Sequence, residues 1–314
     1  MAILIDPPFW PAHGALWSHL VSDTSYDELH EFAARLAVPR RGFDLDHYDV
    51  PESMHARAVA LGARAVGTRD VVHALRASGL RVRQVERDAA RPVRRRQYLV
   101  SEWASLADLA GVEPSDRARD EWQRLGGRLI ARWNEAHRRY HDERHLEDVL
   151  LSLDQLATRG ERVAPVTLLA AWFHDAVYAG VSGTDERDSA ALAAASLEAL
   201  SLDPSLVAQV HDLVVATTPT IRHPDVSAPL AHLLDADLSI FGSSNARYLQ
   251  YAEAVRAEYA HVPVAEFREG RAGILRSYLD QPAIYRAEVS RQLWEQRARV
   301  NLTREIADLL RPIP

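Results

Sequence analysis

The chain has 314 residues, room for two domains or one large one. Its net charge of −7 gives no general reason to expect nucleic-acid binding, and zero cysteines exclude disulfides and thiolate ligands, so any metal must be held by histidine and carboxylate. The opening Met-Ala-Ile-Leu-Ile-Asp lacks the basic and apolar regions of a signal peptide, and no run approaches the roughly eighteen apolar residues of a membrane span, which predicts a soluble, cytoplasmic protein.

The first eighty or so residues read as a small α/β unit. Ile3-Leu4-Ile5 predicts a short strand, ended by Asp6-Pro7-Pro8. Ser25-Tyr26-Asp27-Glu28 is a capping box opening a helix to about Leu36. Phe43 to Val50 is a second strand candidate stopped by Pro51, and helices fit Ser53 to Leu61 and Asp70 to Ala77, with Gly79 as a stop. His13, His19, Asp23, Asp46, His47 and Asp49 fall mostly in expected loops, where they either converge on a metal or small anion or brace the loops as a polar network.

From Arg81 to Arg96 the chain carries seven arginines against Glu86 and Asp88, read as a solvated linker or edge strand, with a phosphate-facing patch as the alternative. From Pro114 onward nearly everything is helical. Trp122, Leu125, Leu129 and Trp133 recur at helical spacing, as do Leu146, Val149, Leu150, Leu153 and Leu156 up to Gly160. Further helices fit Pro165 to Tyr178, Asp188 to Leu200, Pro204 to Thr217, Ala228 to Phe241, Ala246 to Tyr259 and Ala265 to Leu279. The expected organisation is α+β: a small α/β domain over 1–83, an Arg-rich linker over 84–113 and an all-α domain over 114–314.

The chemistry lies in the helical part. Leu168-Leu169-Ala170-Ala171-Trp172-Phe173 leads into His174-Asp175, so an imidazole and a carboxylate end an apolar run. Burying both without partners costs several kcal/mol, and a divalent metal is the commonest partner that offsets it. His141 and His145 share a helix face if helical, and Asp235 and Asp237 lie in a later apolar segment. His223 follows Thr217-Thr218 and is a further candidate for substrate phosphate or a second metal.

Taken together, Arg139-Tyr140-His141-x-x-x-His145-Leu146, Trp172-Phe173-His174-Asp175-x-Val177-Tyr178, Glu186-x-x-Ser189-Ala190 and Asp235-x-Asp237-Leu238-x-Ile240 resemble the predicted HD-superfamily metal-dependent phosphohydrolases of bacteria, over about Asp116 to Tyr285. The resemblance implies an all-α HD-type domain with His145, His174, Asp175 and one of Asp235 or Asp237 as metal ligands. It implies hydrolysis of a nucleotide or other small phosphorylated metabolite. The donor set suits Mn, Fe, Co, Ni, Zn or Mg. His141, one turn before His145 and about 6 Å along the axis, lies nearer the pocket mouth, where it would hydrogen-bond a substrate phosphate and act in catalysis, and Tyr140 is a candidate substrate-binding residue. Where nucleotide-cleaving relatives often carry a glutamate this chain has Val177-Tyr178, which leaves the general acid open. Glu186 is a candidate for it, and a helix cap is its alternative role. Two other readings are a di-iron oxygenase of the HD fold, drawing extra ligands from His141, His211 and His223, and a non-catalytic regulatory protein holding a structural metal. At the other end, Ile5-Asp6-Pro7-Pro8-x-Trp10-Pro11-Ala12-His13-Gly14 resembles a short bacterial domain of unknown function, over about Ala2 to Leu80.

Overall fold

The computed structural model describes residues 2–12, 15–219 and 226–311. The chain divides into two compact units, Met1–Gln97 and Tyr98–Pro314. It is α+β: a small mixed sheet with helices comes first and a helical unit follows. Among the described residues no helix is long and apolar enough to cross a membrane.

In the first unit β1 (Ile3–Ile5), β2 (Trp10–Ala12), β3 (Ala15–Ser22), β4 (Tyr48–Pro51) and β5 (Arg64–Ala65) form one sheet. β3 is its hub, antiparallel to β1, β2 and β4, while β5 runs parallel to β1. Strand alternation sends Ile3, Ile5 and Leu20 to one face, against Leu29, Phe32 and Leu36 of α1 (Tyr26–Leu36) and Ala58 of α2 (Glu52–Ala60). Leu4 and Val21 point the other way, against Val71 and Leu75 of α3 (Thr68–Ala77). Ser25 caps α1 as expected, accepting the Glu28 N–H, but the Glu28 carboxylate turns to the Ser22 hydroxyl instead of closing the box. Two strands, β2 and β3, replace the loops expected between Asp6 and Asp23.

The Arg-rich stretch expected as a linker is instead a long helix, α4 (Arg87–Leu109), and the division between units falls inside it. Its approach is neutralised locally rather than left open for phosphate: Arg81 pairs with Asp46, Arg83 with Glu86 and Arg87 with Asp44.

The helical unit continues through α5 (Asp116–Trp133), α6 (Glu143–Thr158), α7 (Pro165–Phe173), α8 (Asp185–Glu198), α9 (Pro204–Val215) and α10 (Ala228–Asp237). After a single 3₁₀ turn come α11 (Asn245–Glu258), α12 (Val264–Leu279), the short α13 (Glu288–Ser290) and α14 (Gln296–Leu309). One core gathers Trp103, Trp122, Trp133, Trp172 and Phe173, and a second gathers Ile240, Tyr251, Tyr285 and Trp294. Trp103 and Trp122 stack with ring centres 4.1 Å apart, and each indole N–H donates to the other's backbone carbonyl, at 2.8 and 2.7 Å. Gly126 lets the helices approach this closely, because a Cβ there would stand 2.2 Å from the Trp103 ring.

Candidate metal centre in the helical unit

Three helix ends deliver the candidate ligands. Asp142 caps α6 by accepting the N–H groups of Arg144 and His145, which fixes His145 in the first helical turn. The apolar stripe of α6 then buries that turn, leaving His145 only 2 % exposed. α7 is apolar apart from Thr167 and ends at Phe173, one residue before the His-Asp pair. His174 and Asp175 therefore lie in the turn after the helix, not on it as the sequence suggests. Arg138 draws the chain into that turn. Its buried guanidinium donates to the carbonyls of His141, Asp175 and Ala176 and lies over the rings of Trp133 and Tyr178. Asp237 is the last residue of α10.

Four side chains meet. The Nε2 atoms of His145 and His174 are 3.1 Å apart. Asp237 Oδ1 lies 3.2 Å from His145 Nε2 and 3.7 Å from His174 Nε2, and Asp175 Oδ2 lies 3.3 Å from His174 Nε2 and 3.7 Å from His145 Nε2. Ligands about 2.1 Å from a common ion stand about 3.0 Å apart at octahedral angles and about 3.4 Å at tetrahedral ones, so the spacing suits a cation shared by His145, His174 and Asp175, whose ligand atoms lie within 4.8 Å of one another, with Asp237 beside both imidazoles. His174 Nδ1 donates to the Ala171 carbonyl at 2.8 Å, which leaves the Nε2 lone pair for a metal. The charges are mutually dependent. Burial lowers the His174 pKa, but Asp175 and Asp237 outweigh it and raise it to about 9. Despite its own burial, Asp237 is held well below the carboxylate range by the two imidazoles.

Of the two aspartates left open by the sequence, Asp237 joins the cluster and Asp235 does not. Asp235 is fully buried and accepts the backbone N–H groups of Arg286 and Ala287 at 2.8 to 3.0 Å, with Arg286 as its ion-pair partner. His141 sits beside the cluster, its Nε2 4.0 Å from Asp175 and its Nδ1 2.7 Å from Glu258. Glu258 also accepts the N–H groups of Arg139, Tyr140 and His141 and the Tyr178 hydroxyl. This contact raises the His141 pKa against the effect of burial and lowers that of Glu258 to about 2. Glu258, which belongs to the later half of the HD resemblance but carries no assigned role there, and Arg138, which the sequence does not single out, hold the site together. Tyr140, expected as a substrate-binding residue, is buried, its ring centre 4.8 Å from that of His145 and 4.6 Å from that of Tyr251, so it packs behind His145. Glu186 accepts the Gly183 N–H at 2.5 Å at the start of α8, the capping alternative, and burial raises its pKa, with a smaller contribution from Asp175. His211 pairs with its neighbour Asp212 and does not join the cluster. His223 lies outside the described residues, as does His13. Asp23 accepts the Ala2 N–H and the Thr24 hydroxyl.

Residues 3–78, all within the first unit, match the family described as Protein of unknown function (DUF4031). No curated protein and no solved structure matches the chain.

Proposed function

We propose that the helical unit is a metal-dependent phosphohydrolase acting on a nucleotide or another small phosphorylated metabolite. The observation that carries this reading is the convergence of two imidazole Nε2 atoms and two carboxylates from the ends of α6, α7 and α10 at spacings of 3.1 to 3.7 Å. Their order along the chain, His, His-Asp, then a distant Asp, is that of the HD superfamily. His145, His174, Asp175 and Asp237 would hold the cation. When bound, a divalent cation supplies a water of lowered pKa and polarises a phosphoryl oxygen.

This chain's own residues supply the rest. The Ala171 carbonyl fixes the orientation of the His174 imidazole, and the Asp142 cap fixes the backbone that carries His145, before any ligand arrives. His141 is the candidate proton donor. Glu258 holds its Nδ1, so its Nε2 proton faces the cluster, where the leaving oxygen of a phosphoester needs one. Tyr178 stacks on the His141 ring, with centres 4.2 Å apart, and restrains its tilt. Glu186 is the second candidate for that role.

The test is metal analysis of the full chain with a screen of phosphorylated metabolites. His174→Ala and Asp237→Asn are each expected to remove one equivalent of divalent metal and all turnover while helicity is kept. His141→Gln is expected to keep the metal and to lower kcat by about 10²–10⁴-fold, whereas Glu186→Gln changes kcat little. Full metal occupancy and turnover in the His174 and Asp237 variants would refute the assignment. Failure of the wild type to hydrolyse any phosphoester would refute the reaction class.

A further inference from the structure

The first unit carries a second convergence of imidazole and carboxylate, and the sheet itself builds it. His19 on β3 is the direct cross-strand partner of Asp49 on β4, so both side chains leave the sheet on one face. His47 precedes Asp49 by two positions, which puts it on that face as well. The ring centres of His19 and His47 are 4.8 Å apart, and one ligand atom from each of His19, His47 and Asp49 lies within 4.8 Å of the others.

Both imidazoles are oriented by fully buried carboxylates. Asp6 Oδ2 stands 3.0 Å from His19 Nδ1, while Asp6 Oδ1 accepts the His19 N–H at 2.6 Å. Asp46 Oδ1 stands 2.7 Å from His47 Nδ1, and its other oxygen accepts the Val82 N–H and pairs with Arg81. Each Nδ1 therefore faces a buried acceptor, which leaves Nε2 as the atom each ring can present to an ion. This is the arrangement in which a carboxylate fixes the tautomer of a metal-binding histidine. His47 Nε2 also pairs with Asp49 Oδ1 at 3.5 Å, a distance long for a hydrogen bond. Two ligands of one tetrahedral ion stand about 3.4 Å apart.

We propose that His19, His47 and Asp49 form a binding site for a divalent first-row transition ion, with Asp6 and Asp46 as the carboxylates that orient the two imidazoles. Two imidazoles favour Zn²⁺, Fe²⁺, Co²⁺ or Ni²⁺ over Mg²⁺ or Ca²⁺. Three protein ligands leave coordination positions open, and Asp49 is 46 % exposed, so the site admits water or a small oxygen ligand from solvent. This site is independent of the helical one.

The test is titration of the chelator-stripped full chain with Co²⁺, read by visible absorbance and equilibrium dialysis. The forms compared are the wild type, Asp49→Asn, His19→Gln and Asp237→Asn. Asp49 lies half-exposed at the sheet surface, so Asp49→Asn keeps the fold, and circular dichroism checks each form. Asp49→Asn and His19→Gln are each expected to lose one Co²⁺ equivalent relative to wild type, while Asp237→Asn retains that equivalent. The proposal is overturned if Asp49→Asn and His19→Gln both bind as much Co²⁺ as the wild type, or if Asp237→Asn binds none. Failure of the helical site would show separately, as an Asp237→Asn variant with undiminished Co²⁺.

Discussion

The choice between Asp235 and Asp237, which the sequence left open, turns on the geometry of single residues. Asp235 and Asp237 are two apart on α10, so at about 100° per residue they face nearly opposite directions and only one can meet His145. Asp237→Asn should abolish metal binding in the helical unit. Asp235→Asn should keep the metal and lower stability by about 1–3 kcal/mol, because the replaced oxygen leaves buried N–H groups of Arg286 and Ala287 poorly matched. Metal content with urea denaturation separates the two. His30 on α1 provides a pH test. Burial, with Arg40 and Arg94, lowers its pKa from 6.5 to about 3. The unfolded chain therefore binds the extra proton between these values, and the first unit loses stability as pH falls from about 6.5 towards 3. Hydrogen exchange of α1 amides should show this acid sensitivity, and His30→Gln should reduce it. His145, His174 and Asp175 were legible in the sequence because polar residues interrupt apolar runs. Arg138 was not, and Glu258 was legible only as part of the resemblance and without a role: an acid or base in a polar helix or turn carries no local mark of the backbone groups it will hold.

At the scale of elements, adjacent glycines of α5 give opposite predictions. Gly126→Ala would drive a methyl group into Trp103 and should cost about 1–3 kcal/mol through overpacking. Gly127 has nothing within 4 Å of its Cβ position, so Gly127→Ala should stabilise the helix by up to about 1 kcal/mol. Denaturation midpoints of the two variants check both signs. α5 and α6 were readable because each buries one stripe against the core, leaving a 3.6-residue rhythm. β3 was not, since helices cover both faces of its sheet and Ser18, Leu20, Val21 and Ser22 are all buried, which erases alternation. α4 was hidden by its arginines and by Pro92, signs that usually mark a linker.

For the whole molecule, the boundary at Gln97 changes what can be cut. Leu99, Trp103, Leu106, Ala107 and Val112 belong to the core of the helical unit. A fragment beginning at residue 98 should therefore fold and hold its metal, whereas one beginning at residue 114, the boundary the sequence suggests, would uncover Trp122 and aggregate. Expression of both, with metal content and gel filtration, tests this. The interlocked indoles of Trp103 and Trp122 also bear on the order of folding. They close a short stretch of chain, between helices adjacent in sequence, whereas His145 meets Asp237 only after α7, α8 and α9 have been laid between them. Short loops close at lower entropic cost, so the indole pair should form early on refolding and the metal cluster should assemble last. In stopped-flow refolding, tryptophan fluorescence should then change before Co²⁺ absorbance develops, and Gly126→Ala should slow the first phase.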